Sequence, residues 1–361
     1  MAAVNDITAI NNYAGQYSPQ IITSVLNGLD IASDLTVIRN LKAPMDLPKY
    51  KAGKGFRPYN VNIEEPKTPQ GKFTKRTLTP KVGMKILKVI PEELRTTFLS
   101  EGLAPNAKEY PAGFGQYFWD EQTKTLQSEI NDNCYYGVKS GDIPPFDGAA
   151  AYAVGDRVLF NDDFYRCIAI TTAGQSPATY AAKWEEINNA SVADGPGTII
   201  AAEYAGLPAR NKIVTGAITS TNAYDKVVAF YQALPEPIKN AGGELKVSRS
   251  LYENYLNHLF AKFGNGTSAY EMKNSTGLTT GLSVFSSDGK WVISPKSWMS
   301  GSGRIIADVQ KKNLYMGTDQ TADFTGIGNM IPFLHGYRTI IKMILSFQIA
   351  DLDVLFVNDQ A

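Results

Sequence analysis

The sequence predicts an α+β protein, because helical and strand patterns occupy different parts of the chain. Helical patterns lie in the middle, where apolar residues recur about every fourth position in residues 114–137 and 248–263. Strand patterns dominate the end, where alternating residues run through 282–294 and 337–357. The chain has 361 residues, 43% of them hydrophobic, and this length is enough for about two or three compact units.

The first 85 residues predict an arm and a projecting hairpin. Residues 1–41 are predicted to be an arm with one short helix near residues 19–29. Residues 42–85 are rich in Pro, Gly and Lys and contain short alternating pieces. Since proline cannot donate a ladder hydrogen bond, this composition favours a long two-stranded excursion over a packed core. A lone hairpin is only marginally stable, so we expect it to lie against something else.

The strongest helix prediction is the segment 114–137, with Gly137 placed to cap its C-terminus. Its i+4 stripe consists of Phe118, Gln122, Leu126, Ile130 and Cys134. A helix at 222–234 is predicted to be capped by Asn222. Another helix at 248–263 is predicted to begin with a capping box of Ser250 and Glu253. The Asp-Gly pair at 288–289 predicts a hairpin turn.

Charge is balanced overall and uneven locally. The chain holds 35 basic and 35 acidic residues, so no global charge directs it to nucleic acid or to acidic lipid. Residues 42–90, however, contain 12 Lys and Arg against three acidic residues. This excess has three interpretations: contact with acidic surfaces of adjacent copies, neutralisation of nucleic acid, or a solvated surface.

Cysteine usage and the termini indicate the compartment. Cys134 and Cys167 are too few for a disulfide framework, and we expect small buried groups in a reducing compartment. The N-terminus lacks a basic region followed by an apolar one, and no apolar run approaches the roughly 18 residues of a membrane span. We therefore expect a soluble protein that folds in a cytoplasm without membrane contact.

The residues do not suggest catalysis. Only two histidines occur, His258 and His335, and neither has metal-ligand spacing. The glycine-rich pieces "KAGKGF", "GIGNMI" and "GSGRII" depart from phosphate-binding fingerprints. Adjacent acidic pairs point to opposite faces of a strand, so they are poor acid/base partners. The sequence therefore predicts no catalytic residue, no cofactor site, no metal site and no enzyme activity.

The order of these segments resembles the major capsid proteins of tailed bacteriophages, which have the Hong Kong 97-type fold. The resemblance rests on "TVIRNLKAPMDLPKY", "FWDEQTKTLQSEINDNCYYG", "LKVSRSLYENYLNHLF" and "GRIIADVQKKNLYMGTD". It implies six regions. The first three are an N-terminal arm at 1–41, an extended loop at 42–85 and a peripheral domain with a spine helix at 86–145. The last three are an inserted β domain at 146–190, an axial domain with further peripheral elements at 191–335, and C-terminal peripheral strands at 336–361.

The same resemblance implies a function. We expect a structural protein that self-assembles as hexamers and pentamers into an icosahedral head around double-stranded DNA. Portal and scaffolding proteins are the expected partners, with non-specific DNA contact as a further one. The expected location is the virion, with assembly in the host cytoplasm. Candidate intersubunit basic contacts are Lys72, Lys75 and Arg76.

Residues 151–187 resemble the small chitin- and cellulose-binding carbohydrate-binding modules. The matching features are an early aromatic residue, a Gly-Asp turn, alternating apolar residues and a late Trp. The resemblance implies that exposed rings stack on sugars, and the candidates are Tyr152, Tyr180 and Trp184. The alternative is that these rings form the core of a unit too small to spare them.

Two other classes of function stay open. A tail or baseplate component of a virion would use a related scaffold and form tubes or trimers. A carbohydrate-active enzyme would carry its sugar-binding module at one end of the chain and a carboxylate pair in its main domain.

Overall fold

A computed structural model describes most of the chain as a mixture of helices and sheets, which confirms the mixed class predicted from the sequence. The described residues are 24–53, 55–62, 71–89, 114–263, 282–299, 301–309, 313–319, 326–327, 331–333 and 336–360.

Six α-helices have both of their ends within these residues, and residues 24–27 are also helical. They are α1 Asp30–Asp34, α2 Phe114–Asn133, α3 Pro196–Glu203, α4 Ala223–Ala233, α5 Glu236–Ala241 and α6 Arg249–Phe263. The strands of the first half are β1 Thr36–Arg39, β2 Met45–Ala52, β3 Gly71–Leu78, β4 Lys81–Val89, β5 Arg157–Phe160, β6 Asp163–Cys167 and β7 Trp184–Glu186. The later strands are β8 Lys212–Ile213, β9 Gly243–Ser248, β10 Leu282–Ser283, β11 Trp291–Lys296, β12 Ile306–Val309, β13 Leu314–Thr318, β14 Gly326–Ile327, β15 Ile331–Phe333, β16 Gly336–Ile349 and β17 Phe356–Asn358.

The long strand β16 organises the first six-stranded sheet. It pairs antiparallel with β4, β13, β14 and β15, and β1 joins parallel to β13. The apolar stripe of α2 belongs to the same core as β16, through buried Leu126 and Ile130 on the helix and Ile341 and Met343 on the strand. This helix covers one face of the sheet.

The second six-stranded sheet has the order β10-β11-β9-β12-β17-β8. Helices α4 and α6 cover one face and share a core with Leu245, Val247 and Trp291. The predicted Asp-Gly hairpin is confirmed, because β10 pairs antiparallel with β11. Asp288 and Gly289 both have positive φ, the conformation that a tight hairpin turn requires.

The N-terminal segment is packed from residue 24 onwards. Val25, Leu26 and Ile31 are buried in the core of the β16 sheet, and β1 pairs with β13 in register from Thr36↔Tyr315. Residues 1–23 lie outside the described residues, so the predicted arm is described only in its second half. The predicted boundary at residue 85 falls inside β4, which belongs to the sheet rather than to the hairpin.

Three of the predicted helix ends need correction. Helix α2 ends at Asn133, and Gly137 lies beyond it, where the space for a Cβ is filled by the carbonyl oxygen of Ala193 at 2.5 Å. Close approach of two backbones, not capping, explains that glycine. Ser248, not Ser250, caps α6, because its Oγ accepts from the amide of Leu251 at 3.3 Å.

The third correction concerns α4. Asn222 precedes the helix as predicted, but its side chain makes no capping bond to it. Its Oδ1 instead accepts from the Thr219 amide at 2.8 Å.

Candidate functional site

The β2–β3 hairpin joins the body of the protein through its Met45–Leu78 end, called here the root, and through lysines of β2. At the root, Leu47 and Leu78 are buried, and Met45 pairs with Leu78. Away from the root, the residues of both strands are exposed on both faces, up to the pair Ala52↔Gly71. A strand pair that is exposed on both faces projects from the molecule, as the proline- and glycine-rich sequence predicts.

Ion pairs hold this root in place. The ammonium of Lys49 bonds to Asp351 and lies 3.0 Å from Asp353, and Lys51 lies 2.9 Å from Asp353. Hydrogen bonds from Lys51 and Lys49 lower the pKa of Asp353 below its ordinary value of 3.8. The connection between β16 and β17 therefore anchors the basic strand β2.

The three candidate intersubunit residues differ in their surroundings. Arg76 is partly buried and donates to Glu203 and to Gln348, both at 2.9 Å. Lys75 is exposed and pairs across the hairpin with Asp46 at 2.6 Å. Lys72 is exposed and makes no ion pair with any residue that the structure describes. Of the three, Lys72 is the one whose described surroundings leave its charge to solvent.

The outer part of the hairpin carries exposed apolar side chains, which define the hairpin tip as Tyr50, Phe56, Tyr59, Val61 and Phe73. Phe56 is fully exposed and Tyr59 is 90% exposed. The rings of Tyr50 and Phe73 lie 4.6 Å apart across the two strands. Because large apolar groups in water cost free energy, such a tip is typical of a surface that binds another protein.

A second apolar surface lies on β4, where alternate residues face solvent. Val82, Met84 and Ile86 are each more than half exposed. The next residue of the strand, Leu87, is buried in the core beneath. One face of the β4–β16 pair is therefore covered by α2, and the opposite face presents apolar side chains.

Strands β5, β6 and β7 form a small three-stranded antiparallel unit, called here the β5–β7 unit. Its core consists of buried Val158, Cys167 and Trp184, with Tyr152 and Phe146 packed against them. The incoming and outgoing segments lie side by side, because the Gly195 amide donates to the Gly137 carbonyl at 2.8 Å.

Two of the three candidate sugar-stacking rings belong to this core. Trp184 is only 5% exposed, and its Nε1 donates to the Gln175 carbonyl at 3.0 Å. The ring of Tyr152 lies 5.3 Å from that of Trp184, and its hydroxyl accepts from the Asp147 amide at 2.7 Å. Tyr180 is 45% exposed. Trp184 therefore offers no free ring face to a sugar in this conformation, and Tyr180 does offer exposed surface.

The sequence predictions did not include a further apolar surface on the same unit. Exposed Val154, Ile168, Ile170 and Tyr180 define the end patch. Backbone hydrogen bonds bring their segments together: the Gly155 amide donates to Cys167 at 2.8 Å, and the Ile168 amide donates to Lys183 at 2.9 Å. The two isoleucines, 168 and 170, lie in the segment that directly follows β6.

A buried charge cluster joins the N-terminal segment to the second sheet. The ammonium of Lys246, fully buried, lies 2.6 Å from Asp308 and donates to the Asp34 carbonyl at 3.0 Å. Lys296 lies 2.6 Å from both Asp34 and Glu244. Trp298 adds a hydrogen bond from Nε1 to the Asp34 carboxylate at 2.8 Å.

The cluster shifts the titration of its members. Burial acts to raise the pKa of Glu244, but the Lys296 ammonium and hydrogen bonds from Lys296 and Ser294 lower it overall. Burial acts to lower the pKa of Lys296, but Glu244 and Asp34 raise it overall. Both groups are therefore held in their charged forms.

The two cysteines and His258 lie outside this cluster. The two cysteines are buried and free, as predicted, and burial raises the pKa of Cys134 to about 12. His258 accepts the Tyr224 amide at Nδ1, 3.2 Å away, so it contributes to the start of α4. His335 lies outside the described residues.

Among the residues that are described, no three His, Cys, Asp or Glu side chains cluster as a metal site. None of the described helices combines the length and the apolar character of a bilayer span.

Comparison with solved structures identifies a protein that shares the fold of this chain. No family model matches the sequence, and no curated protein matches it. Among solved structures, the chain is similar to a chain of the satellite phage P4 procapsid including size determination (Sid) protein. The TM-score is 0.52 at 10% identity, covering 94% of this chain and 89% of that chain.

Two further structures are similar at lower scores. The capsid of Myoviridae phage XM1 has a TM-score of 0.44 at 11% identity, covering 91% of this chain and 90% of that one. The virus-like particle from Pyrococcus furiosus has a TM-score of 0.44 at 10% identity, covering 96% and 99%. The P4 likeness shows that this chain shares its fold, over nearly its whole length, with a chain of a phage procapsid.

Proposed function

We propose that this chain is a major capsid protein of the Hong Kong 97 type, which self-assembles into the icosahedral head of a tailed bacteriophage around double-stranded DNA. The role is structural rather than catalytic. The shared fold with a chain of the P4 procapsid supports the class of protein. The single observation that carries self-assembly is the exposed apolar hairpin tip.

The tip supports assembly for an energetic reason. Covering a Phe or Tyr ring removes it from water and stabilises the complex by about 1.5–3 kcal/mol. Phe56 and Tyr59 are exposed in the single chain, so this stabilisation is gained only on contact with another molecule. A second copy supplies suitable surfaces, including the exposed apolar face of Val82, Met84 and Ile86. Hexamers and pentamers joined by such contacts are the expected assemblies.

The remaining partners follow from the same proposal. A portal protein and a separate scaffolding protein complete the head, and the basic hairpin makes non-specific contact with packaged DNA as a secondary role. The chain assembles in the host cytoplasm and resides in the virion. We further propose that residues 146–190 are an inserted module, because their incoming and outgoing segments lie side by side.

Glycan binding is a second proposal for this module, and exposed Tyr180 supports it. Particles retained on immobilised chitin or mucin, and released by Tyr180→Ala, would agree with it. Retention that is indifferent to this substitution would contradict a stacking role for this ring.

Electron microscopy and sedimentation of the purified full-length chain test the main proposal. We expect closed shells or capsomer-sized rings at high concentration. Tubes or trimers would favour a tail or baseplate component instead. A chain that stays monomeric at every concentration would contradict the proposal.

A double variant tests whether the tip carries the assembly. Phe56→Ser with Tyr59→Ser is expected to raise the concentration needed for assembly ~10-fold or more, because the lost burial exceeds about 1.4 kcal/mol. Val214→Ser is the matched control, since Val214 is an apolar residue that is 80% exposed and lies outside the hairpin. Equal assembly of both variants would rule out the tip as the contact.

A further inference from the structure

Lys183, whose ammonium is hydrogen-bonded within the β5–β7 unit, lies beside two residues of the end patch, Ile170 and Tyr180. The ammonium of Lys183 donates to the Ile170 carbonyl at 2.9 Å and to Gln175 Oε1 at 2.7 Å, and it lies 6.0 Å from the centre of the Tyr180 ring. Ile170 is 71% exposed and Val154 is 62% exposed.

We infer that the end patch binds the hairpin tip of a second copy of this chain. This inference rests on the proposed function and names a contact within the shell that the fold alone does not require. Both surfaces are apolar and exposed in the single chain, and both carry at least one aromatic ring. Contact would remove both from water at the same time.

Charge complementarity favours the hairpin of a second copy as the partner of the end patch. Residues 144–187 contain six acidic and three basic residues, a net charge of −3. The hairpin, residues 45–78, contains eight basic and three acidic residues, a net charge of +5. Four of its basic residues pair with carboxylates of the same chain, namely Lys49, Lys51, Lys75 and Arg76. Lys72 makes no ion pair with a described residue. Opposite net charges around two apolar surfaces favour their encounter and oppose contact between two copies of the same surface.

A sugar fits the end patch less well than a peptide segment does. Sugar stacking uses exposed aromatic faces, and the patch holds one aromatic ring among three aliphatic side chains. Aliphatic groups pack well against the aromatic rings of the tip. The patch comprises only four side chains, so we expect it to add to a larger interface rather than to form one alone.

Photo-crosslinking in assembled particles tests the inference. A photoreactive phenylalanine analogue replaces Ile170, and the labelled chain is co-assembled with an isotopically heavy chain, so that crosslinks between copies are recognised by mixed mass. We expect mixed crosslinks that join the end patch to the segment 50–73. The analogue placed at Glu186, an exposed residue at the far end of β7, is the matched control and should give at least ~5-fold fewer such crosslinks, because it lies outside the contact.

Each outcome decides the inference. Mixed crosslinks from residue 170 to the segment 50–73, in excess of those from residue 186, support it. Intact particles that give no crosslink from residue 170, or crosslinks to other segments, other proteins or a glycan, overturn it while leaving the proposed function standing. A chain that forms no assembly removes the proposed function, and this inference is removed with it.

Discussion

At the scale of single residues, the aromatic rings of the β5–β7 unit show that identical sequence signals lead to opposite surroundings. Tyr152 and Tyr180 are both tyrosines next to alanines, yet Tyr152 packs on Trp184 and Tyr180 faces solvent. The motif indicated that rings are present and could not indicate which of them point inward. A unit this small uses most of its rings for its own core.

Trp184 and Tyr180 are therefore predicted to respond differently to truncation. Trp184→Ala removes a buried ring and should destabilise the β5–β7 unit by about 3–5 kcal/mol. Tyr180→Ala, at an exposed site, should change stability by less than about 0.5 kcal/mol. Hydrogen exchange of the β5 and β6 amides measures both effects. Equal protection in the two variants would contradict the burial of Trp184.

Ser248 gives a second prediction at this scale. Its hydroxyl caps α6 and donates to the Ser302 carbonyl at 2.6 Å, in a buried position. Ser248→Ala should lower the free energy of unfolding by about 1–2 kcal/mol. Ser250→Ala, two residues further along and exposed, is the control and should change it by less than about 0.5 kcal/mol. Denaturant unfolding compares them, and a larger loss in the Ser250 variant would restore the capping box read from the sequence.

At the scale of secondary-structure elements, periodicity predicted helices and turns formed within one stretch of chain. It did not predict contacts between residues far apart in the sequence. The i+4 stripe placed α2 to within a few residues, and the Asp-Gly turn placed β10 and β11, because both patterns lie within one stretch of chain. The pair of Arg76 with Glu203 joins residues 127 positions apart, and no local pattern encodes it. The buried charges around Asp34 likewise come from separate strands, so only the folded chain shows them.

The cluster of Lys296, Glu244 and Asp34 gives a prediction for pH. The lowered pKa of Glu244 means that its stabilisation is present above about 4.5 and is lost as the pH falls through the folded value. The raised pKa of Lys296 means that its stabilisation is present below about 10.5 and is lost as the pH rises further. Urea unfolding of the full chain should therefore show these two losses at the acid and alkaline ends.

Replacing Lys296 should reverse the effect of acid on the free energy of unfolding. In Lys296→Met, burial of Glu244 is no longer opposed by Lys296, so the variant should lose about 3 kcal/mol at pH 7. Part of this loss should be recovered as the pH falls and the carboxyl is protonated. Lys262→Met is the control, since its ion pair with Asp225 is exposed. A constant difference between Lys296→Met and the natural chain from pH 4 to 7 would contradict the coupling.

At the scale of the whole molecule, a neutral chain separates its charges between a basic hairpin and an acidic β5–β7 unit. The body of the protein is stabilised internally by the cores of its two six-stranded sheets and their helices. The apolar tip and end patch, in contrast, are exposed to solvent in the single chain. Order along the sequence predicted the projecting hairpin, but which of its basic residues stay available depended on in-chain partners that only the fold supplies. Lys75 and Arg76 have such partners, and Lys72 has none among the described residues.

The salt dependence of assembly is therefore predicted to depend on Lys72 in particular. Lys72→Glu should raise the concentration needed for assembly at ~0.1 M NaCl, where charges interact over about 10 Å. At ~1 M NaCl the range falls to about 3 Å, so the variant and the natural chain should converge. Lys290→Glu, an exposed charge reversal at the β10–β11 turn, is the control for net charge alone and should have little effect at either salt concentration. Light scattering across a concentration series measures all three chains. If Lys72→Glu and Lys290→Glu behave alike, the hairpin charge makes no specific contact between copies, and the apolar tip alone must account for any assembly.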